Sequence, residues 1–381
     1  MDRRAALKSL AAAPFALALP RLARADAAPQ RLLVMVFLYG GNDGYNTWVP
    51  YTDALYPKVR PTIAVPRDAV LKVTDHHGFH PSLAPLMPSW QAGDLAMLQG
   101  IGYPEVTQQH YRDEEIAFTG DDTQVRGEGW VSRALAKAGA PTVVALDMLD
   151  VRESDPMGPF RGEMLPVVHV HYPNDLLVLH RVSACAIETN RRGVQAPTRI
   201  PAITGTLRTA FPTDPFGKAL RAAAELAAVD RTLPVIHVTL NGLDEDKHHS
   251  VDCHWKQLEF HGDALQRLAA GLAAFRAAMQ EIGRWDETLV ATYDEFGRSP
   301  VENEDRGTHH GASTTHFLMG GRVKGGAIGK PTPVERVFAV GGPAPTMDTR
   351  ELWTMIAQRW WNVDARGVFN RDYKALDLLR A

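Results

Sequence analysis

The run Leu32–Leu38, LLVMVFL, is apolar at every position and breaks directly into Tyr39-Gly40-Gly41-Asn42-Asp43-Gly44. A strand without a polar face needs cover on both sides, which is the situation of a parallel strand with helices packed above and below its sheet. The design recurs. Residues 233–240 (LPVIHVTL) run into a loop dense in histidine and carboxylate, and residues 288–292 (TLVAT) run into Asp294 and Glu295. In open α/β sheets ligands gather at the carboxyl ends of the strands, so residues placed just after these runs are the first to consider for chemistry. Shorter apolar runs predict further strands at 94–100, 143–148 and 167–171. Apolar spacing of three and four predicts helices at 81–91, from His110 to a stop at Gly120, at 214–229, at 255–275 and at 348–361. The last opens on Asp348 and Thr349, both good capping residues. The resulting class is α/β, with a large, mostly parallel central sheet flanked by helices.

Residues 1–27 read as a leader rather than as fold. Arg3 and Arg4 precede an apolar stretch at 11–19 that is too short to span a bilayer. Ala23-Arg24-Ala25 and Ala25-Asp26-Ala27 both fit a small-residue cleavage site. Paired arginines point to the twin-arginine route, which is read as an address and not as an anchor. The expected location is therefore the periplasm, with 28–381 forming one domain. Within it, 150–215, proline- and threonine-rich at its end, is expected as a cap or surface excursion. The 381 residues are 45% apolar, ample for a core, and a formal net charge of -3 gives no case for nucleic acid. No second apolar run approaches membrane length. Two cysteines, Cys185 and Cys253, exclude a disulfide scaffold and leave their own pairing open.

The candidate chemistry concentrates in 294–316, DEFGRSPVENEDRGTHHGASTTH, which brings Glu295, Arg298, His310 and His316. Asp43 sits on the turn after the first strand, where it equally suits an Asx turn. His110 opens a helix, as a ligand or as a capping residue. The loop at 244–261 holds Asp252 and His254 among four histidines and five carboxylates. His169, His171 and His180 are singly placed, as hydrogen-bonded structural histidines usually are. Taken in order, Asp43, His110, Asp252, His254, Glu295 and His310 form a metal-ligand series at strand ends. Mixed carboxylate and imidazole donors suit one or two zinc, manganese or iron ions, with copper also within their range. Two such ions can clamp a phosphoryl or sulfuryl group during displacement.

The segments VFLYGGNDGYNT, FHPSLAPLMPSWQAGDLA, QHYRDEEIAFTG, DCHWKQLEFH, DEFGRS and GTHHG resemble the successive motifs of the domain-of-unknown-function 1501 family over nearly all of 28–381. That family is placed in the alkaline-phosphatase-like superfamily with sulfatases and nucleotide pyrophosphatases. The resemblance implies an alkaline-phosphatase-like three-layer sandwich with a metal centre at the carboxyl edge of its sheet. By position, Asp43 matches the first metal-binding aspartate, and Asp252 with His254 the later pair. Glu295 takes the aspartate place of an Asp-His-Gly motif, and His310-Gly311 matches the final His-Gly. The chain departs from the pattern in four places. His110 holds the place of the usual serine, threonine or cysteine nucleophile, as a ligand or as a group to be phosphorylated, with Thr47 and Thr107 the nearest hydroxyls. Phe296 holds a histidine place, His309 stands where aspartate is usual, and an insertion at about 243–250 brings Asp244, His248 and His249 as rival ligands.

Two functions follow. One is an exported metal-dependent hydrolase of phosphate, sulfate or related esters, small or polymeric, with His110, Arg298 and His316 as catalytic groups, the latter two stabilising charge developed in the transition state. The other keeps fold and metal without hydrolysis, serving binding, assembly or a redox reaction, with room for a protein partner.

Overall fold

The structure, a computed structural model, describes residues 31–125, 127–138, 143–147, 158–162, 167–171, 187–189, 207–240, 243–244, 247–248, 251–335 and 342–381. Among these a ten-stranded sheet forms the middle layer. Its strands are β1 (Leu32–Leu38), β2 (Leu95–Gly102), β3 (Val143–Asp147), β4 (Val167–His171), β5 (Ile187–Thr189), β6 (Val235–Leu240) and β7 (Thr288–Tyr293). After a separate hairpin of β8 (Gly297–Glu302) and β9 (Thr308–Gly311) come β10 (Thr314–Met319), β11 (Gly326–Gly329) and β12 (Met347–Asp348). The order across the sheet is β11-β2-β10-β7-β1-β6-β3-β4-β5, with β12 also on β2. Only β5 and β10 run against the rest, so the expected mixed α/β sandwich with a large, mostly parallel sheet is the fold observed. No helix among the described residues is long and apolar enough to cross a membrane.

The apolar run at β1 explains its central place. Each of its residues is at most 1% exposed, and alternate side chains serve two cores because successive strand residues point to opposite faces. Leu32, Val34, Val36 and Leu38 pack with α4 (Pro215–Val229) and α5 (Gln257–Glu281) through Phe216, Leu220, Leu265 and Leu268. Leu33, Met35 and Phe37 pack with α2 (His110–Thr119), α3 (Trp130–Lys137) and α6 (Thr349–Met355) through Ile116, Phe118, Trp130 and Trp353.

Several boundaries differ from expectation for local reasons. The helix expected at 81–91 is a 3-10 turn, Pro81–Leu86, followed by a short α-helix, Met87–Ala92; Pro85 has no amide hydrogen for the regular ladder. The helix expected at 255–275 starts only at Gln257, because Lys256 has φ 46°. It continues to Glu281 because Ala278 and Met279 prolong its buried stripe. The closing helix ends at Met355 and passes into a π-helical turn, Ile356–Trp360. Most of 150–215 lies outside the described residues, as do Cys185, His180 and His249; the side chains of Asp244 and His248 do too.

Candidate metal centre

Beyond the end of β1 the chain turns through Gly40 (φ 105°) and Gly41 (φ 80°), a backbone region where a side chain is strained. Both glycines are needed for close approach as well. A Cβ on Gly40 would stand 2.3 Å from Cβ of Asp252, and one on Gly41 2.5 Å from the ring of Phe296. The turn therefore presses Asp252 and the segment after β7 against the sheet's carboxyl edge. Gly40→Ala is expected to lower stability by ~1–3 kcal/mol and to displace Asp252, which calorimetric melting and a metal titration on the same variant would register together.

Ligand atoms of His110, Asp252, His254 and His310 lie within 4.8 Å of one another at this edge. His110 is the first residue of α2, Asp252 and His254 lie just before α5, and His310 is on β9. The imidazoles are aimed from behind. Nδ1 of His310 donates to the carbonyl oxygen of Gln108 at 2.7 Å, and since a carbonyl only accepts, the Nε2 lone pair of the neutral ring faces the cluster. Nδ1 of His110 lies 2.9 Å from Oε1 of Glu295, which also accepts from the Gly40 amide at 2.9 Å. Gln108 is in the left-handed region, φ 65°, and its amide donates to the Asp113 carboxylate at 2.6 Å. Nε2 of His254 and of His310 are 2.9 Å apart. Phe296 forms the apolar floor, its ring centroid 4.3 Å from that of His310 and 4.9 Å from that of His110. The cluster meets solvent: the side chains of His110, Asp252, His254 and His310 are 25%, 28%, 34% and 16% exposed.

The charges suit a cation. Burial opposes ionisation of Asp252, but the hydrogen bond from His254 and the Arg298 guanidinium outweigh it and hold the carboxyl well below the usual range. His310 is held down to about 3, first by burial and then by Arg298, so its ring is neutral. Burial would lower His110 as well, but Glu295 and Asp252 together raise it. Three imidazoles and a carboxylate, two of the rings oriented through their second nitrogen, match the donor chemistry of zinc and neighbouring transition metals.

The remaining expected site residues do not join the four. Asp43 is instead fully buried, salt-bridged to Arg60 at 2.5 Å, and caps α1 (Gly44–Thr47) through the Tyr45 and Asn46 amides. Arg60 also donates to Oδ1 at 3.0 Å, and Gln257 donates to Oδ2, the oxygen of the salt bridge. A buried carboxylate needs a counter-charge, and here a guanidinium supplies it. Arg60 is in turn held by the carbonyls of Ser299 and Pro300 at 2.7 and 2.8 Å. Glu295 stands behind His110 rather than within the four, fully buried, with Oε2 lacking a hydrogen bond.

His316 lies on β10 in the interior, neither ring nitrogen hydrogen-bonded, and burial holds it down to about 3. Arg298 is at the cluster but turned inward. It donates to Asp252 and to the carbonyls of Gly40, Gly41 and Thr308, with His254 Nε2 3.4 Å away. The two candidate hydroxyls are engaged elsewhere, Thr47 with Asn42 at 3.0 Å and Thr107 with Asp113 at 2.9 Å. His309 is exposed and 3.9 Å from Glu304. Cys253 is buried, which pushes its thiol up.

These features define a mixed α/β protein with a cluster of three histidines and an aspartate that could hold a metal ion at the carboxyl edge of its sheet. The model of a family described as "Protein of unknown function (DUF1501)" matches residues 193–366. No curated protein matches the chain. Among solved structures it is similar to the lipoteichoic acid synthase LtaP from Listeria monocytogenes, at 12% identity over 77% of this chain and 66% of that one, TM-score 0.39. It is also similar to a protein in the alkaline phosphatase superfamily from Vibrio parahaemolyticus, at 9% identity over 80% of this chain and 63% of that one, TM-score 0.40. A third similar structure is the phosphonate monoester hydrolase SpPMH from Silicibacter pomeroyi, at 11% identity over 91% and 76%, TM-score 0.40. The chain thus spans just under two thirds of the first two.

Proposed function

We propose that the chain is an exported, metal-dependent hydrolase of phosphate, sulfate or related esters, built on one metal position. The observation that carries this reading is the convergence of His110, Asp252, His254 and His310 on one solvent-facing point at the sheet's carboxyl edge. Zinc, manganese or iron, or by donor chemistry copper, would polarise an ester oxygen there and make water more acidic. The chain's own residues have separable tasks. Glu295 and the Gln108 carbonyl fix the rings of His110 and His310. Arg298 keeps Asp252 ionised and holds it against the Gly40–Gly41 turn. Phe296 excludes water from beneath two of the rings. The engagement of Thr47 and Thr107 in other hydrogen bonds supports attack by water rather than by a protein hydroxyl. Arg3, Arg4 and the apolar 11–19 stretch support export by the twin-arginine route, with 28–381 as one domain and 150–215 as its cap.

Four protein donors also suit a closed tetrahedral site, and that count favours a second reading in which the ion serves binding, assembly or redox. Turnover of an aryl phosphate, an aryl phosphodiester and an aryl sulfate by protein loaded with each metal separates the two. Hydrolysis of one ester class, abolished in His254→Ala, is the expected result. Tight metal binding without turnover of any ester would leave the second reading standing, and failure to bind metal would remove both.

A further inference from the structure

At the opposite edge of the sheet, away from the metal cluster, Arg31, Arg322, Arg359 and Arg380 line one cavity of about 230 Å³ together with Trp360, Leu379 and Ala381. Arg31 immediately precedes β1, and Arg322 follows the end of the antiparallel β10, so both fall at the amino-terminal edge. We propose that this cavity is a binding site for a multiply charged oxyanion, a phosphate- or sulfate-bearing small molecule or headgroup.

Three of the four arms are built in place. Nη1 of Arg31 donates to the Arg359 carbonyl at 2.7 Å, and its guanidinium lies 5.3 Å from the centroid of the Trp360 ring. Nη2 of Arg380 donates to the Gly93 carbonyl at 2.6 Å. Arg359 pairs with Asp377 at 2.5 Å, a carboxylate it shares with Lys324 at 2.8 Å. The side chain of Arg322 has no hydrogen-bond or ion-pair partner among the described residues, although the Arg380 amide donates to its carbonyl at 2.7 Å. Among the described residues no acidic side chain lines the cavity.

Like charges held together cost free energy unless an anion sits between them; Asp377 meets Arg359, but among the described residues no acidic side chain lines the space that Arg31, Arg322 and Arg380 share. Burial, and after it the charge of Arg322, holds the Arg31 guanidinium below its ordinary range, as expected for two cations facing one space. Guanidinium is also the group whose planar fork fits phosphate and sulfate oxygens two at a time, where an ammonium offers only a point charge. The volume is small for a drug-sized ligand and suits one or two tetrahedral oxyanion groups.

The test is calorimetric titration of inorganic pyrophosphate into the whole protein in metal-free buffer, set beside Arg322→Gln, Arg380→Gln and the metal-cluster variant His310→Ala. Saturable binding at one site is expected, weakened about tenfold or more in each arginine variant and unchanged in His310→Ala. Arg322→Lys should recover only part of the loss. Sedimentation with phosphatidylglycerol vesicles against phosphatidylcholine vesicles identifies the source. Pyrophosphate-competable binding to the anionic vesicles marks a lipid headgroup, and pyrophosphate binding without vesicle binding marks a soluble ligand. The Arg322 side chain makes no hydrogen bond or ion pair among the described residues, so Arg322→Gln should melt with the parent. Absence of pyrophosphate binding to the parent protein, or equal binding by a normally melting Arg322→Gln, overturns the proposal.

Discussion

His310→Ala is expected to abolish stoichiometric metal binding while leaving the metal-free protein folded. The parent protein should take up about one equivalent of zinc, and not two, because Asp43, a further expected ligand, is committed to Arg60. Saturating metal at ~100 times the dissociation constant would stabilise the parent by ~2.7 kcal/mol. The variant should gain almost none of this. His310 contributes one of four donor groups and rests on the Phe296 ring at a partly exposed edge, so its truncation removes a ligand without opening a core. Glu295→Gln is the graded companion. It keeps the shape but replaces the carboxylate facing Nδ1 of His110, and loss of such an outer partner costs ~10–100-fold in metal affinity. A chromophoric chelator competition gives both affinities. Parent-like affinity in His310→Ala would remove that residue from the site, and with it the geometry argued above.

The layers of the fold were legible because their signal is local. LLVMVFL cannot be exposed on either face, and the structure places it at the middle of the sheet with both faces covered. β4 falls where it was expected, at Val167–His171. The site was half legible. That His110, Asp252, His254 and His310 follow strand ends or open helices is a sequence property, and these four converge. Depth is not a sequence property. A carboxylate at a strand end can face the edge or stand behind a neighbouring side chain, and Glu295 stands behind His110, outside the group of four. His316, six residues after His310, is carried by β10 into the interior, since consecutive positions of neighbouring strands diverge in three dimensions. Arg60 left no mark in YPKVRPT because its partners, Asp43 and the carbonyls of Ser299 and Pro300, are brought to it only by the fold. Gln108 acts through its carbonyl, a group every residue carries, so only its φ of 65° distinguishes it.

Arg60→Met is expected to destabilise the protein by ~3–5 kcal/mol, because it strands a buried carboxylate without its counter-charge. Neither side chain of the pair is exposed, so solvent cannot replace the lost partner. The pH dependence should change sign in the relevant window. In the parent, burial alone would raise Asp43, but the Arg60 charge and hydrogen bond outweigh it and depress the carboxyl. A carboxyl depressed on folding contributes stability above its unfolded value of ~3.9, and that contribution fades as pH falls toward the folded value. Without Arg60, burial is left to raise Asp43 above its unfolded value. The folded chain then binds the extra proton, so stability should decline as pH rises from ~4 toward neutrality. Asp43→Asn/Arg60→Met removes both charges and should be less destabilised than Arg60→Met alone, since the stranded charge and not the missing contact dominates the loss. Urea unfolding at several pH values would measure all three chains. A drop below ~1 kcal/mol for Arg60→Met, with the parent's pH slope retained, would mean that water or another cation reaches Asp43. In that case the aspartate would again be open to a metal, and the expected stoichiometry of one would have to be abandoned.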